Sequence, residues 1–146
     1  MILFNLAIYT SLAGNPYVQG NWKGRLISNY LDAYNKNGLP VSLYLMDDKA
    51  DGNLVGEMTI RYRYQEDVYS AKYKVSGKID YSSYKFNLTQ TEIIFGDVLP
   101  KGLQWCAGKS DNLGIYRSSN IKRFYIDGIF ETVCNERYRL VLFKSK

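Results

Sequence analysis

Residues 53–79, NLVGEMTIRYRYQEDVYSAKYKVSGKI, read as two long strands joined by a tight turn. In the first, Leu54, Met58, Ile60, Tyr62 and Tyr64 fall on even positions and Glu57, Thr59, Arg61 and Arg63 on odd ones, the period-2 pattern of a strand with one wet face. In the second the phase flips, with Tyr69, Ala71, Tyr73, Val75 and Ile79 alternating with Ser70, Lys72, Lys74, Ser76 and Lys78. Directly opposed residues of an antiparallel pair share a face, so even positions must oppose odd ones and the loop must hold an even number of residues. A four-residue loop over 65–68 sets Tyr64 opposite Tyr69 and leaves Arg61, Arg63, Lys72 and Lys74 in solvent.

Working outward, residues 21–30, 41–46, 84–90, 115–118, 124–132 and 138–144 give further strands, bringing the total to eight. Asn37-Gly38 and Asp51-Gly52 mark turns, and Pro40 opens a strand where a missing N–H is tolerated. The one long connection spans 92–113. The expected fold is all-β, an eight-stranded up-and-down antiparallel β-barrel, because closure pairs both edges of such a series. Alternation places the links after the odd-numbered strands at one end, the mouth, and the others at the floor. Cys106 and Cys134 both fall at the mouth, and Trp22 begins the first strand at the floor.

At 146 residues, without a composition shift or a linker, the chain is read as a single barrel domain over 18–146. Residues 1–14 are mostly apolar and carry Ser11-Leu12-Ala13 ahead of a Gly14-Asn15-Pro16 break. They read as a signal-peptide remnant or an N-terminal extension, too short to span a bilayer. Two cysteines in an otherwise cysteine-free chain suit one disulfide and a secreted or extracytoplasmic setting, periplasm or cell surface.

The net charge is +5, but the basic residues alternate with apolar ones along strands, as the wet face of a barrel requires, and form no nucleic-acid-binding block. There is no histidine to act as general base, and paired cysteines offer no thiolate nucleophile. No catalytic residues, cofactor or metal are therefore expected. A zinc site lacks ligands, and the spacing of Asp47, Asp48, Asp51 and Asn53 does not match a calcium loop.

Gly20-Asn21-Trp22 at the head of the first strand resembles the Gly-x-Trp signature of lipocalins and the wider calycin barrels. The resemblance implies that Trp22 packs across the closed end near a basic residue from the barrel's end, here Lys144 or Lys146. Streptavidin-like barrels are similar in shape. The stretch Leu103-Gln104-Trp105-Cys106, then Tyr125 to Phe130 and Cys134, is also similar to small exported barrel-like proteins of Bacteroidetes-type bacteria, which carry no settled function.

Two functions remain open. One is a binding barrel for a small apolar or aromatic ligand, with Tyr30, Tyr62, Tyr64, Tyr69, Leu88, Phe130 and Tyr138 around the mouth and Trp105 as lid. Eight strands leave room for side chains or one small ligand, so the same tyrosines can line the interior or fill it. The other is a surface module for a protein or glycan, using the 92–113 connection. Oligomeric state is left open.

Overall fold

The computed structural model describes residues 18–145, so the expected N-terminal segment 1–14 lies outside the described residues. The strands are β1 (Gly20–Ile27), β2 (Leu39–Met46), β3 (Asn53–Tyr64), β4 (Asp67–Asp80), β5 (Lys85–Gly96), β6 (Gly108–Arg117), β7 (Phe124–Thr132) and β8 (Arg137–Lys144). Each pairs antiparallel with its neighbours in sequence, and β1 pairs with β8, which closes the barrel. No helix among the described residues is long and apolar enough to cross a membrane.

The β3–β4 faces follow the alternation. Leu54, Met58, Ile60, Ala71, Tyr73, Val75 and Ile79 are buried, Arg61, Arg63 and Lys74 are exposed, and Lys72 is partly exposed beside Glu57. The turn differs from expectation. Gln65 and Glu66 alone form it, Tyr64 opposes Asp67, and Tyr69 opposes Tyr62. A two-residue turn with Gln65 at φ 55° matches the twist of its strands, and it preserves the even-to-odd pairing.

A second difference concerns β5. It runs on to Gly96, and β6 begins at Gly108, so the connection between them is residues 97–107 and not 92–113. Register shifts between Lys72 and Tyr73 and between Lys74 and Val75 in the β4–β5 ladder break the alternation of residues 91–96. Such bulges hide a strand from a period-2 reading. β1 likewise stops at Ile27, leaving Tyr30 in the β1–β2 connection.

The floor half of the interior is lined by large buried side chains. Trp22, Leu43, Leu45, Leu54, Met58, Leu88, Leu113, Ile126, Leu140 and Leu142 are fully buried there and around the waist. Tyr84 and Phe124 pack against this core. Asp47, also fully buried, accepts hydrogen bonds from the backbone N–H groups of Asp51 (3.2 Å) and Gly52 (2.8 Å) and from the Tyr81 hydroxyl. Its carboxylate therefore ties the β2–β3 turn to the β4–β5 turn beneath the barrel.

Candidate functional site

The mouth holds a cavity of 450 Å³ between β1, β2, β3, β4, β7, β8 and their connections. That is within the usual range for small-molecule sites. Leu26, Leu39, Ile60 and Phe130 form its apolar wall, with Leu31, Leu99, Leu103 and Trp105 over it from the connections. Tyr62, Tyr73 and Tyr138 bring phenols from three strands, and Tyr30, 96% exposed, stands at the rim.

Two connections are fastened over this cavity. In the first, residues 28–38, a single 3₁₀ turn (Ala33–Asn35) buries Asn35 against β3. Its amide donates to Arg63 O (2.9 Å) and accepts from Arg63 N (3.0 Å), imitating a paired strand. Asn35 also donates to Asp32 (3.0 Å), whose other oxygen accepts from the Tyr62 hydroxyl (2.6 Å). In the second, residues 97–107, the Trp105 indole donates to Asp97 O (2.8 Å) and its ring lies over Gly96, where an added Cβ would meet the ring at 2.9 Å. Cys106 and Cys134 are joined, with Cα atoms 5.9 Å apart, and Val133 N donates to Ala107 O (2.9 Å).

Electrostatics concentrate on the phenols. Burial, followed by the hydrogen bond to Asp32, pushes Tyr62 up to about 12. Burial and the neighbouring Glu136 charge raise Tyr138, which donates to Glu136 at 3.0 Å. Burial chiefly, then Glu136, raises Tyr73. Burial raises Asp32, but hydrogen bonds from Tyr62, Asn35 and the backbone outweigh it and hold the carboxyl below its ordinary value. Because Tyr62 has a raised folded-state value, the stability tied to its protonated form is whole below pH 10 and falls as pH climbs towards 12. A spectrophotometric alkaline titration is expected to show at least one late-ionising tyrosine, advanced towards pH 10 by Asp32→Asn.

Of the residues expected at the mouth, Tyr30, Tyr62, Phe130, Tyr138, Trp105 and Cys106 line the cavity. Tyr64, Tyr69 and Leu88 are not in its wall. Tyr64 packs against Tyr34 instead, with ring centroids 5.5 Å apart and ring planes tilted by 49°, at the tip of the β3–β4 hairpin. Tyr69 opposes Tyr62 near that tip, and Leu88 is packed in the interior beside Ser110. Sequence reasoning missed Asp32 and Glu136 as cavity residues, since loop carboxylates follow no periodicity. Tyr73 was legible as inward-facing, but nothing local marked how far its ring reaches.

At the floor, Trp22 is fully buried and donates from its indole to Val18 O (2.9 Å). The Lys144 ammonium stands 5.0 Å from the ring centroid and donates to Gln19 O. Burial lowers its pKa. This pairing has the Trp-plus-base form that the Gly-x-Trp resemblance implies. Comparison with family models, with curated proteins and with solved structures finds no match to this chain.

Proposed function

We propose that the protein is a non-enzymatic binding barrel that takes a small apolar or aromatic ligand into its mouth. The observation that carries this reading is the contrast between the two halves of one barrel: a floor closed by fully buried side chains around Trp22, and a mouth cavity walled mainly by apolar and aromatic groups. Kinship with the lipocalin and calycin barrels is part of the proposal and rests on the Trp22–Lys144 pair. So is an extracytoplasmic location, supported by the Cys106–Cys134 bond.

Nile red, a neutral apolar dye, is expected to bind with a fluorescence increase that saturates at one dye per chain. Leu39→Trp, which places an indole in the cavity wall, should cut uptake about tenfold, whereas Tyr64→Ala and Tyr69→Ala should leave it within about twofold. Uptake that survives Leu39→Trp unchanged places the dye elsewhere and counts against the mouth.

A surface module is the second reading, and one observation favours it. Beyond Thr89, β5 has no partner on β6, and Ile93, Ile94 and Phe95 lie along that stretch at 42–46% exposure with Val98 at 91%. An apolar strip along a strand segment that lacks ladder pairs on one side suits a protein partner. Charge substitutions there, Ile94→Asp and Phe95→Asp, would abolish such contacts without changing dye uptake.

A further inference from the structure

The mouth cavity presents two carboxylates where a ligand's head would sit, each already holding a tyrosine hydroxyl. The Tyr62 hydroxyl donates to Asp32 and the Tyr138 hydroxyl to Glu136, leaving phenol and carboxylate lone pairs facing the cavity. Neither carboxylate has an ion-pair partner among the described residues, whose ion pairs are Lys72–Glu57, Lys74–Glu92 and Arg139–Asp127.

Arg137 reaches the cavity edge, but it opposes Glu131 on the outer face and also lines an outer groove with Glu131 and Asp127. Tyr73 supplies an independent observation. It is 3% exposed, it lines the cavity, and its hydroxyl has no hydrogen-bond partner among the described residues. That oxygen is available to a polar group of the occupant.

Charge around the opening points the same way. The four mouth connections carry Asp32, Glu66, Asp97 and Glu136 against Lys36 and Lys101, in a chain whose net charge is +5. The connections themselves therefore carry an excess of carboxylates, although the molecule as a whole is basic.

We infer, building on the mouth-binding reading above, that the occupant is an amphiphile whose head is a protonated amine. Its N–H groups donate to the Asp32 and Glu136 carboxylates and to the Tyr73 oxygen, and its apolar body lies against Leu26, Leu39 and Ile60. The rings of Tyr30 and Trp105 line the cavity as aromatic surface that a cation can approach, and an anionic head would meet two carboxylates there.

The test is displacement of Nile red from the intact chain by three probes of equal chain length, dodecylammonium, dodecanol and dodecyl sulfate, each below its micelle concentration. The expected order is ammonium first, tighter than the alcohol by about tenfold, with the sulfate weakest. Non-specific attraction to a +5 protein favours the reverse order, so it cannot produce this result.

The double variant Asp32→Asn/Glu136→Gln, its fold checked by circular dichroism, should bring the ammonium-to-alcohol ratio close to one. Tyr73→Phe should lower it about threefold. Equal displacement by amine and alcohol, tightest binding of the sulfate, or a ratio untouched by the double variant overturns the ammonium assignment and leaves the binding barrel standing. Absence of Nile red uptake overturns both.

Discussion

Trp22→Ala is expected to lower the unfolding free energy by about 3–5 kcal/mol, with a midpoint drop on heating of roughly 10 °C. The size follows from what the side chain does at the floor. Its indole is wholly buried, its N–H satisfies Val18 O, and its ring lies beneath the Lys144 ammonium. Truncation removes the apolar burial, leaves a cavity under a rigid closed sheet that cannot collapse to fill it, and takes away the aromatic face beside a partly buried charge. Trp22→Phe keeps most of the ring and should cost clearly less. Urea unfolding followed by far-ultraviolet circular dichroism measures both. A loss under 1 kcal/mol for the alanine variant contradicts the closed floor as the structural anchor.

The second large effect concerns the mouth. Removing the disulfide by Cys106→Ser/Cys134→Ser is expected to cost about 3.5 kcal/mol, the chain-entropy value for a closed loop of 28 positions. The bond has a specific task in this fold. β5 and β6 pair only from Lys85 to Thr89 on the β5 side, so the mouth half of that seam has no ladder across it. The 97–107 connection joins the two strands at this gap, and Cys106 anchors it to the β7–β8 connection at Cys134. Without the bond, Trp105 and Leu103 lose their tether over the cavity, and dye uptake should weaken along with stability. Denaturant unfolding with and without a thiol reductant reads the first effect, and Nile red titration reads the second. A reduced protein as stable as the oxidised one removes the structural role assigned to this bond.

The fold was largely legible because a strand's side chains alternate with a period that no turn can alter. Leu54, Met58 and Ile60 face in and Arg61 and Arg63 face out whether the turn after Tyr64 has two residues or four, since either length keeps even positions opposite odd ones. The same alternation puts Cys106 and Cys134 at one end and Trp22 at the other.

Periodicity fails where a bulge resets the phase, and so the strand over residues 91–96 went unseen. It fails again in the connections, where position depends on long-range bonds. Asp32 meets Tyr62 because Asn35 pairs with the Arg63 backbone, a contact between residues 28 positions apart. Tyr64 lies against Tyr34, from that same connection, and not in the cavity wall. Sequence alone thus determined the barrel, its two ends and the facing of its strands, all consequences of local alternation and closure. Only the tertiary structure decided which phenols and carboxylates share one cavity, because that depends on how two loops fold back over an opening whose shape no single segment contains.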